Sequence, residues 1–222
     1  MPVYKTKNVN FFKRWTPDVA YVLGFFTADG SMIKNKRGAH FIEFQITDKD
    51  LLVKIRKLFG SNHKITTRKR NNNSKISYRL QIGSKEIFND LLKLGLTPNK
   101  SKTIKLLKIP DKYFSHFLRG YFDGDGCVNI CAYQQKYKNS LSTIINSGFT
   151  SGSKKILMEI KNRLTKFKII KGGTLYYHSK AYRLWFSIND SSELYKFMYS
   201  NLRNSLFLDR KKAVFEKYFK IR

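Results

Sequence analysis

Two aspartates stand where a pair of carboxylates could hold a cation. Asp29 and Asp125 are 96 positions apart, and each closes an apolar run, VLGFFTADG at 22–30 and LRGYFDGDG at 118–126. Small residues recur four apart in each run, Gly24 and Ala28 in the first and Gly120 and Gly124 in the second. Residues at that spacing share a helix face, so each run is expected to be a helix with a flat stripe that another helix backbone can approach. Two such stripes in one chain are expected to pair, with Gly30 and Gly126 stopping the helices in left-handed turns. The two carboxylates would then emerge side by side on a pseudo-twofold axis. Metal held by carboxylates positions a water and stabilises charge on the attacking and leaving oxygens of a phosphodiester. One acid per repeat suits one cut in each strand of a duplex. Asp-Gly alone is also an ordinary turn; the symmetry of the two copies and the charge of the chain favour the functional reading.

That charge is large. Forty-four Lys and Arg against 15 Asp and Glu give a formal net charge of +29 over 222 residues. Such an excess repels itself in a compact state and is relieved by a polyanion, so nucleic acid is the expected partner. A hydrophobic content of 41% and an aromatic content of 15% argue for a folded globule and against a disordered polycation. The length suits one large domain or two small ones. Neither an apolar run of about 18 residues nor a signal pattern at 1–10 is present. The expectation is therefore an intracellular protein without membrane contact, in an organelle (mitochondrion or chloroplast) or a microbial cytoplasm. Cys127 and Cys131 are four apart in an expected strand, on one face and too distant to bond, and form no disulfide framework. The four histidines, His40, His63, His116 and His178, lack ligand spacing. Asp123-Gly124-Asp125-Gly126 begins like a calcium loop, but Val128 and Gln134 occupy the positions that need Gly and Glu.

The elements that must position the acids follow from periodicity. Thr16-Pro17-Asp18 reads as a helix start, with Thr16 as N-cap and Pro17 at the first helical position. Strands are expected at 31–36 and 40–46, where Ile42, Phe44 and Ile46 alternate with Phe41, Glu43 and Gln45. A capping box at 47–50 opens a helix that Gly60 ends. A second hairpin, 64–69 and 75–82, places Lys75, Ser77, Arg79 and Gln81 on one face, and Ser84 caps a helix to about Leu94. The second half repeats this order: a helix from Asp111 to Asp123, strands at 127–134 and 140–150, and a helix from Ser153. Strands at 174–177 and 181–188 follow, then a helix capped by Ser191 or Ser192. A last helix spans 210–220. Phe44 matches Phe149 at an offset of 105, and Tyr78-Arg79-Leu80 matches Tyr182-Arg183-Leu184 at 104. One insertion after the aspartates explains both offsets, so the chain reads as a duplication. The expected fold class is α+β, with two pseudo-symmetric αββαββα repeats at 10–107 and 108–222, each with a four-stranded antiparallel sheet.

Both nine-residue runs resemble the signature of the LAGLIDADG homing endonucleases, and two copies in one chain resemble the single-chain, two-repeat members. The sixth position departs between copies, Asp123 in the second and Thr27 in the first. The eighth position, the acid that the family uses for metal, is present in both. The resemblance implies two sheets forming a saddle over the DNA major groove, with the signature helices at the repeat interface. It implies Mg2+ or another divalent cation on Asp29 and Asp125, with the backbone of Ala28 and Gly124 nearby. Asp48 and Ser153, after the second strand of each half, would orient water and phosphate, and their asymmetry implies unequal cutting of the two strands. Lys100 and one of Arg210, Lys211 or Lys212, with Lys211 preferred, are the matching basic candidates. Side chains that can bond base edges in the major groove point to Arg79, Gln81, Gln45, Arg68, Arg70, Lys75, Arg183 and Gln134 as DNA contacts. The expected activity is metal-dependent hydrolysis of both strands of double-stranded DNA at a long nonpalindromic site, by a monomer with no obligate protein partner. The alternative is a non-cleaving binder on the same scaffold, an intron-splicing maturase or a regulator, for which loss of a signature acid would have argued.

Overall fold

The computed structural model describes residues 5–69, 75–134, 141–200, 202 and 205–221. The first half is built from α1 (Pro17–Asp29), β1 (Gly30–Lys34), β2 (His40–Ile46), α2 (Lys49–Leu58), β3 (Ile65–Arg68), β4 (Ser77–Gly83) and α3 (Lys85–Lys93). The second half runs α4 (Phe114–Asp125), β5 (Gly126–Gln134), β6 (Leu141–Ser151), α5 (Lys154–Lys166), β7 (Thr174–His178), β8 (Ala181–Phe186) and α6 (Ile188–Tyr199), and α7 (Asp209–Ile221) follows. The two antiparallel sheets share one strand order, β1-β2-β4-β3 and β5-β6-β8-β7. The α+β class and the repeated helix-hairpin-helix-hairpin-helix order are those expected from periodicity. Two compact units are present, Met1–Lys100 with Leu107–Gly124, and Ser101–Leu106 with Asp125–Arg222. Both signature helices, but for Asp125, belong to the first.

Helix α1 starts as its sequence dictates. Thr16 Oγ1 accepts a hydrogen bond from the Val19 amide at 3.1 Å, and Pro17 occupies the first helical position, where no amide donor is needed. From Val19 to Thr27 every residue is buried, the mark of a helix covered on more than one side. One cover is the sheet: Phe25 stacks on Phe44 and Phe26 meets it edge-on, with ring centroids 6.3 and 5.1 Å apart. The other is α4. A Cβ at Gly24 would lie 2.0 Å from the Phe117 carbonyl oxygen, and a Cβ at Gly120 2.0 Å from that of Tyr21. At Gly124 it would lie 2.4 Å from the Ala28 Cβ. The two backbones therefore touch along the stripes, and no side chain larger than hydrogen fits at these glycines.

The polar end of the same contact is buried. Arg119, 1% exposed, has its guanidinium carbon 5.6 Å from the Tyr21 ring centroid and donates to His116 Nδ1 at 2.9 Å. Burial first, and the Arg119 charge second, push the His116 imidazole down to about 4. Asp18 is shifted upward by burial, with Arg119 partly offsetting it.

Several local expectations are corrected. Gly30 does not stop α1 in a left-handed turn: its φ is −84° and ψ 152°, extended backbone leading straight into β1. Glycine is required there by space, since a Cβ would meet the Phe26 ring at 2.2 Å. Strand β8 ends at Phe186 and α6 starts at Ile188 after Ser187, so neither Ser191 nor Ser192 is the cap. The Ser191 hydroxyl is in the core, where it accepts from Ser147 Oγ at 2.9 Å. Asp48 and Ser153 hold the N-cap positions of α2 and α5 without a side-chain cap bond. Gly60 does end α2 in the left-handed region, at φ 53°.

Gly120→Ala should lower the melting temperature, because overpacking a backbone contact costs about 1–3 kcal/mol or more. An open helical site would do the opposite and gain up to about 1 kcal/mol from the better helix former. The sign of the change in Tm separates the two. The buried imidazole also sets a pH dependence. His116 stays neutral in the fold while the unfolded chain gains a proton below about pH 6.5, so stability is lost as pH falls from about 6.5 towards 4. The loss is on the order of 2–3 kcal/mol. Denaturant unfolding of the wild type and of His116→Gln should converge at pH 7 slopes and diverge between pH 6.5 and 4.5, with the flatter profile in the variant.

Candidate functional site

Asp29 is the last residue of α1 and is exposed, while Gly30 behind it is buried. Gly124 of α4 stands against this carboxylate: a Cβ there would lie 3.3 Å from Asp29 Oδ2 and 2.4 Å from the Ala28 Cβ. Lys100, 6% exposed, donates its Nζ proton to the Gly30 carbonyl, and its ammonium lies 5.5 Å from the Phe26 ring centroid. A buried ammonium is costly unless its hydrogen bonds are made, and this one is set on the peptide that follows the acid. Gly30 pairs with Phe44 in β2. Asp48, four residues beyond Phe44, therefore lies off the same end of the sheet as Asp29, half-buried at the N-cap of α2.

The second repeat has the same arrangement in its own unit. Asp125 ends α4 half-buried, and Gly126 opens β5 opposite Phe149. Lys211, 7% exposed, donates to the Gly126 carbonyl at 2.7 Å. Of the three neighbouring cations in α7, Lys211 is thus the one at this position; Arg210 is exposed, and Lys212 pairs with Glu216, a bond that raises the Lys212 pKa. Ser153, four residues beyond Phe149, is 4% exposed, and its hydroxyl donates to the Ile104 carbonyl at 2.7 Å. That hydroxyl ties the 101–106 connector to the start of α5, where Asp48 offers a carboxylate in the first repeat.

The sixth signature positions are structural. Asp123 accepts from the Tyr21 hydroxyl at 2.6 Å inside the helix pair, and Thr27 returns its hydroxyl to the Leu23 carbonyl at 2.7 Å. Among the described residues no three His, Cys, Asp or Glu come together to hold a metal. Asp29 and Asp125 would instead offer carboxylate oxygen, a hard donor of the kind that suits a hard divalent cation.

One face of β1-β2-β4-β3 carries Ile42, Phe44, Leu80 and Ile82 into the core, and the alternate residues form an open face. Gln45 is paired across the strands with Arg79, Glu43 with Gln81, and Arg68 with Ser77. Arg79, Gln81, Gln45 and Arg68 thus lie together, as expected. Lys75 is exposed just ahead of β4, and Arg70 lies outside the described residues. In the second sheet Arg183 is on the open face opposite Thr150 and Tyr176. Gln134, at the exposed end of β5, alternates onto the side of Val128 and Ile130 and away from Arg183. Cys127 and Cys131 are free thiols on the open face. The residue that sequence reasoning missed is Glu43. It is 7% exposed in the middle of the first open face, accepting from Gln81 Nε2 at 3.0 Å with Arg79 Nε 3.5 Å away. Its place in the alternation was visible, but its partners lie 36 and 38 positions away and appear only with the register.

Known proteins share this architecture. The LAGLIDADG-like domain profile matches twice, over residues 16–94 and 114–198. An uncharacterised protein of Methanocaldococcus jannaschii is 27% identical over 135 residues, which are 57% of this chain and 44% of that protein, so the chain covers less than half of that relative's length. Among solved structures, I-SmaMI bound to uncleaved DNA with calcium ions is 15% identical with a TM-score of 0.62, covering 94% of this chain and 90% of that one. The LAGLIDADG meganuclease I-AabMI bound to uncleaved DNA is 14% identical with a TM-score of 0.64, covering 93% and 90%. I-CpaMI, also a LAGLIDADG meganuclease bound to uncleaved DNA, is 13% identical with a TM-score of 0.64, covering 94% and 91%. At these identities the structural likeness establishes the fold. With the family profile matched over most of the chain and a signature helix at the head of each match, the protein belongs to the LAGLIDADG-like domain family, with two copies of the domain in one chain.

Proposed function

We propose that the protein is a site-specific endonuclease that hydrolyses both strands of double-stranded DNA at a long nonpalindromic target, acting as a monomer. The observation that carries this reading is the repeated pairing of an acid at a helix end with a buried lysine on the next peptide, Asp29 with Lys100 and Asp125 with Lys211. A scaffold that only bound DNA would not need two buried lysines, each desolvated on the peptide that follows an acid.

Asp29 and Asp125 are the proposed ligands of Mg2+ or a similar divalent cation, with the Ala28 and Gly124 backbone beside them. When bound, such a cation lowers the pKa of water and stabilises charge on the leaving oxygen. Lys100 and Lys211 hold the glycine peptides in place, which fixes the direction of each carboxylate. Their fixed positive charge also favours the extra negative charge that phosphate acquires in the transition state. Asp48 is a proposed water-orienting group in the first repeat. Ser153, already bonded to the Ile104 carbonyl, cannot accept a proton in the same way, so the two strands are expected to be cut at different rates. The open sheet faces supply the reading of the target, and the large positive charge supplies phosphate affinity.

The test uses a supercoiled plasmid carrying the DNA on either side of the encoding gene, rejoined to restore an uninterrupted site. With Mg2+, the wild type should linearise it. Asp125→Asn should leave affinity for the site within a few-fold and abolish cutting of at least one strand, giving nicked or intact circles. Normal linearisation by this variant would remove Asp125 from the chemistry, and tight binding without cutting by the wild type would favour the maturase or regulator alternative.

A further inference from the structure

The two open sheet faces are chemically unlike. On β1-β2-β4-β3 the central rungs are charged and already ordered. Gln81 donates to Glu43 Oε2 at 3.0 Å, and Arg79 donates to Gln81 Oε1 at 3.1 Å with its Nε 3.5 Å from Glu43. Arg68 reaches Gln45 Oε1 at 3.4 Å and Glu43 at 3.9 Å. One buried carboxylate thus orients two guanidinium groups before any ligand arrives, which lowers the ordering cost of binding.

The face of β5-β6-β8-β7 lacks this device. Asn129 is paired with Asn146, Cys131 with Ile144, and Trp185 with Gly148. Asn129, Cys131, Asn146, Tyr176 and Trp185 line a shallow depression of about 430 Å3. Arg183 is the one Lys, Arg, Asp or Glu on this face among the described residues. The glutamate that would answer Glu43 is absent: Glu43 faces Ser31 and Gln81, and the corresponding rung of the second sheet is Cys127, Gly148 and Trp185.

Base edges sort by these groups. Guanine O6 and N7 accept a bidentate pair from arginine, and cytosine N4 donates to a carboxylate. Adenine N6 and N7 pair with asparagine or glutamine, and the thymine methyl takes an apolar contact. We infer that the two half-sites of the target differ in composition. The half-site under β1-β2-β4-β3 contains G·C pairs read by Arg79 and Arg68. The half-site under β5-β6-β8-β7 is A·T, read by Asn129 and Asn146 at adenine and by Cys131, Tyr176 and Trp185 at thymine methyls. This rests on the proposed reading of a DNA duplex by the open faces.

Selection of bound sequences from a randomised duplex pool by the full chain, without Mg2+, tests it. The expected consensus is nonpalindromic, with G·C pairs confined to one flank. Arg79→Ala should lose about 10- to 100-fold of guanine preference in that flank, and Asn146→Ala should relax adenine preference in the other. Replacing thymine by deoxyuracil in the A·T flank removes only methyl groups and leaves the protein untouched. It should weaken wild-type binding about three- to fivefold per contacted methyl. A consensus with G·C pairs in both flanks, or uracil substitution without effect, overturns the inference while leaving the proposed function standing. A pool that returns no consensus overturns both.

Discussion

The backbone contact between α1 and α4 is the constraint on which the rest depends. Gly24 and Gly120 each face a carbonyl of the opposing helix that a Cβ would reach at 2.0 Å. Helices that approach this closely fix their relative setting, because a screw shift of one residue would place Phe25 or Tyr121 where glycine now sits. That setting matters at both ends. At one, Asp29 comes against Gly124; at the other, Arg119, His116 and Tyr21 close a buried polar cluster. Interiors packed at crystal-like density respond to an added methyl, so the seam is a rigid reference for the acids that end its helices.

The buried lysines extend that reference into the sheets. Each binds the first peptide of the strand that leaves a signature helix, Gly30 in β1 and Gly126 in β5. Helix, acid, strand and ammonium are thereby coupled at one point in each repeat. Charge held in place in this way needs no reorganisation when negative charge develops near it, which is what the proposed phosphodiester chemistry would use. The sheets serve a different physical task. On the first open face the polar side chains take neighbouring side chains as partners, and the Glu43 cluster orders its arginines by hydrogen bonds and ion pairs instead of by burial in the core.

Much of this was legible in the residues. The small-residue stripes announced the helix contact, strand alternation separated core from open face, and Thr16-Pro17 marked the start of α1. Phe44 and Phe149 proved to be equivalent, each opposite the glycine after a signature acid. What failed did so for identifiable reasons. Gly30 was read through its conformational freedom, whereas the structure uses its lack of a side chain beside Phe26. Ser191 looked like a cap because a hydroxyl before an apolar run usually is, but Ser147 across the core takes it up. Lys211 could not be told from Arg210 and Lys212 until the phase of α7 was known. Glu43 was hidden because its partners are brought close only by strand register, which no local pattern encodes.

The central claim is that one carboxylate from each repeat holds the divalent ion that cuts DNA. The most direct measurement is a crystal structure of the protein with its DNA target and Mn2+, in which anomalous scattering marks the ion independently of the coordinates. The account predicts Mn2+ signal in contact with the carboxylates of both Asp29 and Asp125. Signal absent from both, or centred on other side chains, would contradict it.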